Sequence, residues 1–356
     1  MTGRDSGAPD RAEAARRRRP RLTDETVTLA HGAGGKASAA LVEAVFIEAF
    51  GAPDPSELAD AATLDVQPGR LAFTTDSYVV NPIRFPGGSI GDLAVNGTAN
   101  DLAVSGAVPR WLSAAFVIEE GLPVAELREI VADMREAADR AGVTVVTGDT
   151  KVVPKGAADK VFVTTSGIGV VPDGRRLGAR LVQPGDRLVL SGPVGNHGMA
   201  VLLARGELAI EADIASDTAP LTGLVEAMYA AGVSPRWMRD ATRGGLGTVV
   251  NELAGASGLG VLLDDDAIPV EPQVRGACDM LGIDPLYVAN EGCLVAVVAA
   301  ADADRAVSAL ADAGAPAACV IGEIVAEPAG LVAVRNAFGG TRLVDMLVGD
   351  PLPRIC

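Results

Sequence analysis

Histidine is nearly missing from this chain, with two in 356 residues, and the four cysteines, Cys278, Cys293, Cys319 and Cys356, form no CxxC pair and no short spacing. A soft-metal centre, a zinc knuckle and a disulfide framework are therefore not expected, and a reducing compartment is. A basic surface is lacking too, since 30 Lys and Arg face 46 Asp and Glu for a net charge of −16. Nucleic acid and anionic membrane both need a basic face to displace counterions, so no nucleic-acid and no membrane partner is expected. No apolar run approaches a membrane span, and the N-terminus lacks the apolar middle of a signal peptide, which points to the cytoplasm. Aromatic residues are only 3% of the chain, so the core has to be built from Ala, Val, Leu and Ile, as in layered α/β proteins.

What is present is too much chain for one ordinary core, and two domains are expected. Residues 1–24 read as a solvated, Arg-rich leader, with almost no large apolar side chain over residues 1–21. Residues 25–178 form the first expected domain, residues 179–345 the second, and residues 346–356 a flexible tail ending on Cys356. In the first domain the stretch TVTLA reads as a strand running into the glycine loop HGAGGK and then a helix. RLAFTTD reads as a strand that delivers Asp76, and VTVVTGDT repeats that pattern at Asp149. Between them, Leu127, Ile130, Val131 and Met134 lie on one helical stripe that Gly142 should stop. The second half alternates strands (RLVLSG, GVLLDDD, LVAVVAA, ACVIGEIV, LVAVRN) with helices near 197–205, 220–231, 246–257 and 303–313, which argues for an α/β lobe.

The chemistry lies in where the acids sit. Asp76, Asp92, Asp101, Asp149 and Asp240 stand at strand ends, loops or glycine turns, where side chains can converge. One such Asp is usually a turn-former or a helix cap, but five are harder to dismiss. With Asn96 and Asn100 as neutral oxygen donors they suit a hard cation that keeps waters and phosphate oxygens, which is the habit of Mg²⁺, and ATP follows as its ligand. Asp92, Asn96 and Asn100 are four apart, so on a helix they share a face. Two glycine loops are candidates to wrap phosphate. HGAGGK lacks the full phosphate-loop spacing, though Lys36 within it suits a clamp on phosphate or on the terminal carboxylate. DATRGGLGT sets Arg243, Gly244 and Gly245 ahead of a helix whose first amides favour an anion.

TTDSYVVNP, GDLAVNGTANDLAVSGAVP, VVTGDTKVV, DATRGGLGT, NEGCL and the terminal PRIC resemble the HypE family of hydrogenase-maturation carbamoyl dehydratases, in the aminoimidazole ribonucleotide synthetase superfamily. The resemblance runs from about Val27 to Cys356. It implies a two-lobed α/β (α+β) protein, with an N-terminal β-rich lobe for dimerisation and ATP and a C-terminal α/β lobe. It further implies a homodimer, with HypF loading a carboxamide on the terminal sulfur and ATP-driven dehydration turning that carboxamide into a thiocyanate. The cyano group then passes to iron held by the HypC–HypD complex for a nickel–iron hydrogenase. Carried onto this chain, the Mg²⁺ and nucleotide acids match Asp76, Asp101, Asp149 and Asp240, with Asp92, Asn96, Asn100 and Thr150 nearby.

Cys356 is then the carrier, on an arm that Pro351 and Pro353 keep extended and off the surface. Lys151 suits phosphate neutralisation. Glu291 in NEGCL is the favoured base, and His197 in GNHG is the second candidate. Two other readings stand beside this one: a kinase-like superfamily member such as selenophosphate synthetase or thiamine monophosphate kinase, and a non-catalytic carrier that presents Cys356. Cys278, Cys293 and Cys319, like Trp111 and Trp237, read as packing residues, although Trp237 lies close to Asp240.

Overall fold

The computed structural model describes residues 22–33, 35–51, 64, 69–206, 208, 212–346 and 354–356; the expected leader through Arg21 and the arm prolines Pro351 and Pro353 lie outside them. The expected strand TVTLA is not formed. Only a bridge between Thr26 and Pro123 stands there, followed by a 3-10 turn at Leu29–Gly32. The cause is local: the Thr28 N–H that a strand would use donates to His31 Nδ1 at 2.9 Å and bends the chain. Helix α1 (Gly35–Leu41) follows and runs on through a π-helical stretch, Val42–Ile47.

The first sheet alternates inward and outward side chains. Strand β1 (Arg70–Tyr78) leads through the short hairpin β2 (Arg84–Phe85) and β3 (Gly88–Ser89) into helix α2 (Ile90–Val104). Strand β4 (Val108–Glu119), helix α3 (Val124–Ala141), β5 (Thr144–Val153) and β6 (Val161–Val171) complete the lobe. The strand order is β1-β6-β4-β5, antiparallel except for the parallel pair β4–β5. Helices α2 and α3 cover one face, where Leu127, Ile130, Val131 and Met134 of the predicted stripe are all fully buried. Gly142 ends α3 in the left-handed region at φ 70°, as a helix stop requires. The opposite face is open, with Phe73 70% exposed and Leu71 and Val117 also in solvent.

Helix α2 is buried on nearly all sides and joins the lobes. Ser89 caps it, accepting from Gly91 N–H at 3.1 Å, and Gly91 is obligatory because a Cβ there would lie 2.3 Å from the Ile130 carbonyl oxygen of α3. The second lobe is a seven-stranded sheet of β7 (Arg187–Leu190), β8 (Trp237–Asp240), β9 (Gly260–Asp264), β10 (Leu294–Val298), β11 (Cys319–Val325), β12 (Val332–Arg335) and β13 (Thr341–Val344). Its order is β13-β12-β9-β11-β7-β10-β8. Helices α4 (Asn196–Ala204), α5 (Thr222–Ala230), α6 (Gly245–Ser257), α7 (Pro272–Leu281) and α8 (Ala303–Asp312) pack around it.

The alternation read from sequence is present, but only β12–β9 is parallel, because strand–helix order fixes the layering and not the strand direction. Residue 178 lies between the two sheets. Cys278 and Cys293 are buried as small apolar groups, and Trp237 packs into the core of the second lobe.

Candidate active site

Alternation along β1 turns Thr74, Asp76 and Tyr78 inward toward α2. Asp101, near the end of α2, accepts from Thr74 Oγ1 at 2.8 Å and shares a hydrogen bond with the carboxyl of Asp76. Two carboxyls so paired cannot both ionise freely. Burial, and then the charge of Asp101, raise Asp76 to about 6. Asp240, at the end of β8, is nearly buried, and burial followed by Asp101 and Asp76 pushes it up to about 7. Three of the five predicted acids thus converge where the two lobes meet.

Glu291 joins them from the loop before β10. It is 3% exposed and pushed well above the usual carboxylate range, first by burial, then by Asp240, Asp217 and Asp76, with the Arg243 guanidinium opposing. Its peptide is held by a residue that sequence reading passed over. Asp217 accepts from Glu291 N–H at 3.0 Å and Gly292 N–H at 3.1 Å. Burial raises Asp217 to about 6 in spite of those donors. Its sequence setting, SDTAPL ahead of α5, resembles any helix-capping acid, so no local signal distinguished it.

Asn96 and Asn100 face the same segment, but as fasteners. Asn100 Nδ2 donates to the carbonyls of Ala219 and Glu291, and Asn100 Oδ1 accepts from Leu221 N–H at 2.7 Å, so the expected donor to ATP is already engaged by backbone. Asn96 Nδ2 donates to Thr218 Oγ1 at 3.2 Å, whereas its buried Oδ1 has no partner among the described residues. Asp92, expected with them, is engaged at the start of α2. It accepts from Ser89 N–H at 3.1 Å to close the capping box of α2, and it pairs with Arg140 at 2.9 Å. Its spacing from Asn96 placed it on the right face, but its position in the first turn gave it to the helix terminus.

Asp149, Thr150 and Lys151 stand elsewhere in this chain. Asp149 pairs with Ala115 across β4–β5, while Asp76 pairs with Thr165 across β1–β6, so the two acids occupy opposite edges of the sheet. Three strand spacings separate those edges, about 14 Å. Lys151 Nζ lies 2.7 Å from Asp149 on the open face and holds its carboxyl below the usual value, and Thr150 N–H also donates to it. The HGAGGK loop packs at this edge, where a Cβ on Gly32 would meet the Val152 nitrogen at 2.6 Å. Lys36 is exposed there, and Gly34 lies outside the described residues.

The second glycine loop is built as read. Gly244 (φ 73°) and Gly245 (φ 59°) turn the chain into α6, and the Arg243 charge reaches both Asp76 and Glu291. Among the described residues no three His, Cys, Asp or Glu side chains form a metal cage. Mg²⁺ does not need one, because it keeps waters and phosphate oxygens and takes one or two carboxylates. The all-oxygen set Asp76, Asp101 and Asp240 fits that ion.

The chain end is docked, where a free arm was expected. Val79 N–H donates to the Cys356 carbonyl and Asn81 N–H to the Arg354 carbonyl, each at 3.2 Å, and Ile355 is 2% exposed. Its apolar side chain outweighs the extension that Pro351 and Pro353 promote. His197 Nε2 lies 2.6 Å from the Ile355 carbonyl oxygen, and burial lowers its pKa to about 4, which makes it a poor base.

Comparison with known proteins places this geometry. Residues 58–171 match the N-terminal domain and residues 183–335 the C-terminal domain of AIR synthase related proteins. Carbamoyl dehydratase HypE of Rhodobacter capsulatus is 55% identical over 340 residues, covering 94% of this chain and 99% of that protein. Its Escherichia coli counterpart is 46% identical over 338 residues, covering 93% and 99%. A crystal structure of hydrogenase maturation protein HypE in complex with ATP superposes with a TM-score of 0.88 at 44% identity, covering 93% of this chain and 100% of that one. HypE from a HypE–HypF complex gives 0.75 at 44% identity, covering 86% and 100%. A thiamine-monophosphate kinase from Stenotrophomonas maltophilia, at 22% identity and a TM-score of 0.57 over 74% of this chain and 85% of that one, shares the fold.

Proposed function

The chain belongs to the HypE carbamoyl dehydratases among the AIR synthase related proteins, and from that membership we propose that it dehydrates an S-carboxamide on its own Cys356 to a thiocyanate at the expense of ATP. The observation that carries this reading is the docked chain end. Val79, whose N–H holds the Cys356 carbonyl, follows Asp76 by three residues, just past the end of β1 and about 10 Å away.

The amide oxygen is a poor leaving group until it becomes phosphate. Attack of that oxygen on the γ-phosphorus breaks the bond to the β-phosphate and releases ADP. Loss of the nitrogen protons and cleavage of the carbon–oxygen bond then yield a nitrile and inorganic phosphate. Asp76, Asp101 and Asp240 would hold Mg²⁺, which supplies charge neutralisation on the phosphates when bound. Arg243 and the amides of Gly244 and Gly245 add positive potential at the start of α6. Glu291 takes the nitrogen proton: burial makes its carboxylate a strong proton acceptor, and Arg243 favours the ionised form it needs first.

Asp149, Lys151 and the HGAGGK loop complete the site from a second copy of the chain. The open sheet face, with Phe73, Leu71 and Val117 in solvent, is the surface on which two copies would stack as a homodimer. Stacked about a twofold axis parallel to the strands, the β5 edge of one copy would lie over the β1 edge of the other. The partners would be HypF for loading and the HypC–HypD complex for unloading, in the cytoplasm. Thiamine monophosphate kinases lack reason to seat a terminal thiol, and the buried Ile355 favours the dehydratase over that alternative.

Intact mass of the C-terminal peptide tests the proposal. After incubation with HypF, carbamoyl phosphate and ATP, the carboxamide adduct on Cys356 should lose one water, and Cys356→Ser should carry no adduct. A carboxamide that persists with ATP present defeats the reading.

A further inference from the structure

Residues 354–356 are gripped from three directions. Ile355, one residue from the chain end, is part of a core cluster that joins Val80 and Ile83 of the first lobe to Met199 of α4 and Val274 of α7 in the second. Arg205 donates to the carbonyls of Asn81 at 3.0 Å and Arg354 at 2.9 Å, and Arg354 pairs with Asp159 at 2.8 Å. The third hold is chemically directional. A carbonyl oxygen only accepts, so the His197 nitrogen 2.6 Å from the Ile355 oxygen, Nε2, carries the proton. Nδ1 must then accept from Ser216 Oγ at 2.8 Å, and Ser216 Oγ in turn accepts from Thr218 N–H at 3.1 Å. Phe85 stands edge-on to the ring at 5.4 Å and fixes its plane.

Gly195 N–H donates to Asn290 Oδ1 at 2.7 Å and Gly198 N–H to the Ala289 carbonyl at 3.0 Å. The helix start that carries the imidazole gripping the tail and the loop that carries Glu291 are therefore fastened to each other. His197 is fully buried. When the tail leaves, its Nε2–H loses the Ile355 carbonyl, and an unsatisfied buried donor is costly.

We propose that His197 is a positioning residue for Cys356: with the Ile355 pocket it forms a latch that sets the balance between a docked tail, competent for dehydration, and a released tail, competent for loading. This rests on Cys356 being the carrier. The latch needs no nucleotide, since its donor, anchor and arginine are all supplied by the chain itself. Losing the His197 bond should shift the balance toward release about tenfold.

The test uses the full chain. His197→Phe keeps a ring against Phe85 and removes the donor, His197→Gln keeps a donor, and Ile355→Ala removes the anchor. Alkylation of Cys356 by iodoacetamide, followed by peptide mass, should accelerate about tenfold in His197→Phe and Ile355→Ala and less in His197→Gln. Thiocyanate formation should slow while carboxamide loading by HypF holds or rises. Unchanged alkylation in both variants, or loading and dehydration falling together, overturns the latch. Should His197→Phe not fold, Ile355→Ala decides by the same comparison. Failure of wild-type protein to form thiocyanate sinks the dehydratase reading alone, because the alkylation measurement involves neither ATP nor carboxamide.

Discussion

The main-chain N–H of Glu291 donates to Asp217 Oδ1 at 3.0 Å, so one buried carboxylate aims another. Glu291→Gln preserves shape and removes proton acceptance, and single-turnover dehydration should fall about 10²- to 10⁴-fold with ATP binding retained. Asp217→Asn offers one oxygen to two N–H donors and should lower the same rate while leaving Gln-substituted Glu291 protein no slower. A double variant markedly slower than Glu291→Gln would show that Asp217 acts independently of Glu291.

That pair also marks the limit of what the residue order reveals. Glu291 was legible because NEGCL sits against an apolar strand, and Asp76, Asp101 and Asp240 because strand ends and glycine turns deliver acids to one place. Asp217 was not legible, because its role depends on two N–H groups that reach it only after the 289–293 loop has packed. Asp92 was misplaced for a related reason. Helical spacing predicts a shared face, but the Ser89–Asp92 capping box is a local competitor for that acid, and the Arg140 partner on α3 is a tertiary fact. The docked tail was hidden likewise, since proline spacing speaks of chain stiffness and not of a pocket waiting for Ile355.

Burial of several carboxyls makes the stability of the ligand-free protein depend on pH in an unusual direction. Asp76 and Asp217 are raised to about 6 and Asp240 to about 7, each above its unfolded value, so the native state binds more protons than the unfolded chain between about pH 4 and pH 7. Their contribution is fully present below the unfolded value and is lost as pH rises through the folded one. His197, lowered to about 4, acts oppositely: its contribution is present above its unfolded value and lost as pH falls through the folded one. Three acids outweigh one imidazole, so thermal unfolding without nucleotide should give a higher Tm near pH 5 than near pH 7.5. Asp240→Asn should flatten that slope. A Tm that climbs steadily from pH 5 to 7.5 in wild-type protein would contradict the assignment of these groups as protonated.

Gly245 offers a stability test of the second glycine loop. Its φ of 59° lies in the left-handed region, and a Cβ there would stand 2.5 Å from the Leu286 carbonyl and 2.6 Å from that of Val288. Both neighbours are backbone and cannot swing aside. Gly245→Ala should therefore destabilise the protein by about 2–4 kcal/mol in urea unfolding and weaken nucleotide binding as the start of α6 shifts. Gly255→Ala, in the same helix with open space around the new methyl, should cost nothing and gain a few tenths of a kcal/mol from helix propensity.

The separation of Asp76 from Lys151 across the sheet gives the sharpest test of the two-copy site. Asp76→Asn and Lys151→Ala should each abolish dehydration as pure homodimers. If one site takes Asp76 from one copy and Lys151 from the other, a mixed dimer holds one site with both substitutions and one with neither. Co-unfolding and refolding equal amounts makes half the dimers mixed, and activity should return to about a quarter of wild type. If both residues serve a site within one chain, every site in the mixture carries one substitution and no activity returns. Phe73→Asp controls for assembly, because a charge on the open sheet face should split the dimer and remove the complementation without reaching into the acid pocket.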